Sequence, residues 1–233
     1  MKKELVTIFL FMFLANIFLH AQQKPFEGVI NYTIETINTE DSTNNIFDYI
    51  YFININKFRI EDLGLKYFTI IDENRAVNFM PTSKIYMEVT NEELANNEIH
   101  QSIKKENELL YKFTDEKKEI LGYTCNKISY KYKNAYSGGY NEVEIWGIKD
   151  RNVKMPCSNF DIHTELLDEC FEFKIIPLHV IVKFDGGKEK HTYKATRLIE
   201  KKLPKNIFIM PKDYKKYETP IPDDNDYGDE DDY

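Results

Sequence analysis

Apolar residues at every second position, in one short segment after another, limit what this chain can fold into. "VINYTIETI" (29–37) sets Ile30, Tyr32 and Ile34 against Asn31, Thr33 and Glu35. That period of two is the mark of a half-buried antiparallel strand. "NIFDYIYFIN" (45–54) is apolar on both sides, which predicts a central strand covered on both faces, or one next to a lid. "NKFRIED", "KYFTIIDE", "AVNFMP" and "KIYMEV" follow, separated by Gly64, by Glu73-Asn74 and by Pro81-Thr82-Ser83. Turn residues at such short intervals predict a meander. Strands resume with "ELLYKFT", "EKKEILGY", "CNKISYKYK" and "NEVEIWGI", the last two joined through the glycine-bearing "NAYSGGY". "KIIPLHVIVKF", "DGG" and "KEKHTYKATRLIEKKL" spell the clearest hairpin.

The fold class expected is mainly β: a curved antiparallel sheet, or half-barrel, of about eleven strands with one or two short helices. Strands do not alternate with helices, as a parallel sheet would require. With 16 Tyr and 16 Phe against 9 Gly, the body is well filled. Two segments break the alternation. Residues 91–107 carry a thin stripe of Leu94, Ile99 and Ile103, and read as a short surface helix or a long loop. A short helix is expected over residues 161–169.

The ends set the organisation. Lys2-Lys3, an apolar run from Leu5 to Leu19 and His20-Ala21 read as a secretory signal peptide cleaved after Ala21, with retention as an N-terminal anchor the competing reading. A run of about 15 residues falls short of the roughly 20 that a spanning helix needs, so no stable membrane span is expected after cleavage. Localisation is then periplasmic or secreted. Residues 22–219 form a single β-rich domain. Residues 220–233 hold seven acidic side chains and no base, an acidic tail expected to stay disordered. Asp223, Asn225 and Gly228 imitate the start of an EF-hand loop, but Tyr227 stands at its fifth position and its twelfth lies past Tyr233. The tail carries nearly all of the formal charge of −8, so the body is close to neutral and lacks a basic footprint for nucleic acid.

Five blocks, "PFEGVINYTI", "NKFRIED" with "YFTIIDENRAVNFMPTSKIYMEV", "EILGYTCNKISY", "VEIWGI" and "IFIMPKDYKKY", occur in an order that resembles the exported Bacteroidota family called domain of unknown function 4412, itself similar to the GLPGLI family. The resemblance spans residues 25–217. It implies a fold like that of the LolA/LolB lipoprotein carriers, a strongly curved sheet with helices over its concave side, and it brings no catalytic residues. A sheet this aromatic must cover its inner surface with its own helix, a lipid chain or a partner's apolar segment. Candidates for a concave lining are Ile50, Phe52, Phe68, Ile70, Phe79, Tyr86 and Trp146, with ordinary core packing the plainer role for each.

Three cysteines in an exported chain invite pairing. A Cys157–Cys170 bridge would staple the irregular segment, leaving Cys125 as a small buried apolar residue. Cys157, His163 and Cys170 with Glu165 or Asp161 are a weak metal set, since structural zinc shows tighter spacing; no metal and no cofactor are expected. His179 and His191 flank "DGG", and hairpin parity sends them to opposite faces. Hydrolase, nucleotide and zinc-protease motifs are absent from the sequence. Glu142 and Glu144 beside Trp146 follow a pattern that a sugar site uses, although a solvated strand face has the same look. The leading expectation is a non-catalytic binding module for a lipid or other apolar ligand. A structural envelope protein with a filled core, docking protein partners, is the alternative, and a hydrolase comes third.

Overall fold

The computed structural model describes residues 25–90, 92–93, 112–133, 139–149, 153 and 174–218. The alternation becomes twelve strands of one open, curved sheet: β1 (Gly28–Asn38), β2 (Thr43–Asn54), β3 (Lys57–Asp62), β4 (Phe68–Ile71), β5 (Arg75–Met80), β6 (Ile85–Thr90), β7 (Lys112–Ile120), β8 (Tyr123–Lys133), β9 (Tyr140–Ile148), β10 (Ile176–Phe184), β11 (Glu189–Glu200) and β12 (Lys215–Lys216). Their order is β12-β6-β5-β4-β3-β2-β1-β11-β10-β9-β8-β7. Two meanders, β1 to β6 and β7 to β11, are therefore joined where β1 pairs antiparallel with β11. Only β12 runs parallel to its neighbour, along β6.

One face carries Ile30, Tyr32, Ile34, Tyr49, Tyr51 and Ile53, continued by Ile128, Val143, Ile145, Val180 and Val182 in the largest buried cluster. Here Tyr32 sets its ring edge-on to Tyr51 at 5.1 Å and donates its hydroxyl to Pro177 O at 2.5 Å. That proline is tolerated inside a strand because the β9–β10 pairing shifts between Pro177 and His179.

The opposite face of the first meander is closed by the chain itself. After β11, residues 201–217 cross it as a strap. Leu203 and Phe208 pack on Val29, Ile50, Phe52 and Ile207, and Met210 and Tyr214 on Phe68, Ile70, Val77, Phe79 and Tyr86. The reading of "NIFDYIYFIN" as covered on both sides thus holds for the second half of β2, from Tyr49 on, while Ile46 is exposed. Polar contacts seat the strap: Leu203 N–H donates to Glu27 Oε1 at 2.7 Å, Arg59 donates to Ile207 O at 2.9 Å, and Lys84 pairs with Asp213.

Two details differ from the sequence reading. "ELLYKFT" and "EKKEILGY" are not two strands, because residues 112–120 run as one, with a pairing irregularity between Phe113 and Lys117. The short β12 has no apolar period to betray it; backbone bonds from Lys215 N to Lys84 O and from Tyr217 N to Tyr86 O hold it. The signal segment 1–21, most of 91–107, the helix expected over 161–169, Cys157, Cys170 and the tail 220–233 lie outside the described residues. Among the described residues, no helix is long and apolar enough to cross a membrane.

The β7–β8 turn yields a stability prediction. Ile120 pairs with Tyr123, and both turn residues have positive φ, Leu121 at 53° and Gly122 at 79°. Such a turn suits Asn-Gly, whereas a leucine there is strained by about 1–2 kcal/mol. Leu121 is also exposed. Leu121→Asn is expected to stabilise the protein by about 1 kcal/mol, read as a higher urea midpoint at unchanged slope.

Candidate functional site

Strands β8, β9 and β10 align their outward residues in rows across the face opposite the tyrosine cluster. Lys131, Glu142 and Lys183 form one row, Ser129, Glu144 and Ile181 the next, and Lys127, Trp146 and His179 the third. The residues between them, Ile128, Tyr130, Val143, Ile145, Val180 and Val182, are buried on the other face. The simple alternation of "KISYK", "EVEIW" and "HVIVK" is what produces the site.

A pocket of about 430 Å³ opens on the first two rows, lined by Ser129, Lys131, Glu142, Glu144, Ile181 and Lys183, with Tyr130 and Val143 behind them. That volume falls in the range of roughly 300–1,000 Å³ typical of small-molecule sites. Ile181 and the methylene stems of the two lysines give it aliphatic walls, while the charged heads form its rim. At the rim Lys131 Nζ lies 2.5 Å and Lys183 Nζ 3.8 Å from the Glu142 carboxylate. Hydrogen bonding to Lys131 holds Glu142 below the usual carboxylate range.

The third row is built around Trp146, the single tryptophan of the chain. Its Nε1–H donates to Glu144 Oε1 at 2.7 Å, and Lys127 Nζ meets Glu144 Oε2 at 3.0 Å. Burial raises the Glu144 carboxyl, but those two bonds outweigh it and the net direction is down. Lys118 of β7 stands over the indole at 4.1 Å and Lys127 at 5.3 Å from its centre. The Lys118 Nζ lies 3.1 Å from His179 Nδ1. Burial pulls the Lys118 amine below its ordinary value, and burial, followed by the Lys118 charge, does the same to His179.

Cys125 lies opposite Lys118 in the β7–β8 pairing. It is a buried free thiol, its Sγ 3.6 Å from Tyr123 O, and burial pushes its pKa up despite nearby Lys118. A protonated, inaccessible thiol packs and does not react. His179 and His191 do fall on opposite faces, since His179 pairs with Lys194 and His191 with Val182. No cluster able to hold a metal occurs among the described residues.

The seven residues nominated for a lining divide between two places. Ile50, Phe52, Phe68, Ile70, Phe79 and Tyr86 all lie on the face opposite Tyr32, beneath the strap. Trp146 lies in the second meander beside the pocket wall residue Glu144, buried and part of the largest cluster. Sequence reasoning picked out Glu142, Glu144 and Trp146, weighed His179 only against His191, and missed Lys118, Lys127, Ser129, Lys131, Ile181 and Lys183. Alternation within the strand was visible for all of them except Lys118, whose strand carries an irregularity between Phe113 and Lys117; the register between strands was not.

Comparison with family models and with curated proteins returns no match. Solved structures similar to this chain include PNGF-II, at 17% identity and a TM-score of 0.44 over 82% of this chain and 31% of that one. An uncharacterised conserved protein from Thermus thermophilus is similar at 12% identity and 0.48, over 87% and 98%. A LolA superfamily protein from Nitrosomonas europaea is similar at 10% identity and 0.38, over 80% and 91%. The chain thus spans about a third of PNGF-II. None of these likenesses assigns an activity.

Proposed function

We propose that this is an exported, non-catalytic binding protein, a member of the exported family that its sequence blocks resemble, which takes an apolar or amphiphilic small molecule of the lipid or acyl-chain kind. The observation that carries the reading is the pocket over β8–β10, about 430 Å³ in volume, with an aliphatic wall and a charged rim. Such a shape accepts an apolar body while its polar end meets the rim. The hydrolase reading draws only on Glu142 and Glu144 beside Trp146, and both carboxylates are paired with lysines, Glu142 with Lys131 and Glu144 with Lys127. The rival role, a structural envelope protein with a filled interior, draws on the first meander, whose two faces are occupied by the tyrosine cluster and the strap.

Ile181 is only partly buried and lies on the pocket wall, so a larger side chain there fills the pocket without entering the core. Ile181→Trp is expected to weaken uptake of dodecanol at least ~10-fold, about 1.4 kcal/mol, measured by calorimetry with the melting temperature essentially unchanged. Gently purified wild-type protein is expected to carry a small apolar molecule in native mass spectrometry. Wild-type protein that arrives empty and takes up no dodecanol would instead support the filled scaffold.

A further inference from the structure

The rim and the Trp146 row differ in how their charges are balanced. Lys127 has two carboxylates, Glu144 at 3.0 Å and Glu116 at 3.3 Å. Glu144 gives one oxygen to the indole N–H and the other to Lys127, and its charge reaches Lys118 only through space. Lys118 has no carboxylate within 4.0 Å among the described residues; it stands over the indole and against His179 Nδ1. If the ammonium donates to Nδ1, that nitrogen is bare and the imidazole is neutral with its proton on Nε2. Two ammonium N–H groups are then left over. A half-buried cation in this position has a ring face, a neutral imidazole and the more distant Glu144 charge around it, but no carboxylate in direct contact.

The surroundings share that imbalance. Lys131 and Lys183 divide the single Glu142 carboxylate between them. Lys190 and Lys194 of β11 extend the same rows, paired with Lys183 and His179. A face with this surplus of positive charge attracts an anion.

We propose that the bound molecule carries a carboxylate, seated against Lys118 and His179 at the edge of Trp146, with its apolar body lying across Glu144 and Ile181 into the pocket. This rests on the ligand-binding reading above and names the class: an amphiphilic acid such as a fatty acid. The carboxylate accepts from the spare Lys118 N–H groups and supplies the counter-ion that the row lacks.

Calorimetric titration of the full chain with dodecanoate and with dodecanol near pH 7 tests this. The acid is expected to bind at least ~10-fold more tightly than the alcohol, and Lys118→Met to erase that preference by weakening the acid alone. Lys118→Arg, which keeps the cation, is expected to retain most of it. Equal binding of acid and alcohol by the wild type, or a preference that survives Lys118→Met, overturns the carboxylate seat and leaves the pocket reading standing. Uptake of neither ligand overturns both.

Discussion

A chain ended after Glu200 is expected to have no cooperative unfolding transition at 25 °C and to bind a hydrophobic dye. Removing residues 201–217 uncovers Val29, Ile50, Phe52, Phe68, Ile70, Val77 and Phe79 at once and discards Leu203, Phe208, Met210 and Tyr214, which pack on them. Burial of each large apolar side chain is worth about 1.5–3 kcal/mol, so the loss exceeds the roughly 5–15 kcal/mol by which an ordinary domain is stable. The truncation also strips β12 from β6 and leaves a raw sheet edge open to pairing with other chains. Phe208→Ala is the graded version: Phe208 is buried at the centre of one strap cluster, and its truncation is expected to cost about 3–5 kcal/mol in urea unfolding while the protein still folds. A shortened chain that melts at the full-length midpoint would mean that the strap is ornament.

Gly147→Ala is expected to be the most damaging single methyl on the second meander. A Cβ at this position would run into Ile175 Cγ2 and lie 2.5 Å from the Ile176 carbonyl oxygen. The obstacle includes main chain, which cannot rotate away, so the segment entering β10 must move. Overpacking of this kind costs about 1–3 kcal/mol and more where backbone is displaced. A loss of about 3 kcal/mol would lower the melting temperature by roughly 6–12 °C in a protein of this size. Gly147 directly follows Trp146 and pairs with Pro177, so the same change should also weaken ligand uptake. Gly28→Ala provides a comparison far from the site, since its Cβ would meet the Ile199 carbonyl of the paired strand.

How far the sequence carried depended on whether a pattern was local. The period of two in "VINYTIETI" and the two-sided apolarity of "NIFDYIYFIN" are properties of single strands; the first came through along β1, the second from Tyr49 on, with Ile46 left exposed. The parity of the "DGG" hairpin needs only a short turn, so the separation of His179 from His191 was legible too. What no local pattern contains is which face of one strand aligns with which face of the next when the connection is long. Ile50 and Phe68 were grouped with Trp146, but what covers the first two, Leu203 through Tyr214, comes from some 150 residues further along the chain. The β9–β10 register that sets Glu142 beside Lys183 likewise spans residues 149–175, and no turn rule reaches across it. Lys118 was hidden further because "ELLYKFT" and "EKKEILGY" look like separate strands, the irregularity at residues 113–117 having broken the period.

Trp146 offers the most direct test of the central claim, that an amphiphilic molecule occupies the second meander's outward face. It is the single tryptophan of the chain, buried in the main cluster and hydrogen-bonded to Glu144 of the pocket wall, so its fluorescence reports on that end of the second meander. Titration with a fatty acid brominated along its chain is expected to quench the indole emission saturably, and unbrominated dodecanoate to reverse the quenching by competition. Emission that stays constant, or that falls linearly without saturation as collisional quenching does, would contradict the account.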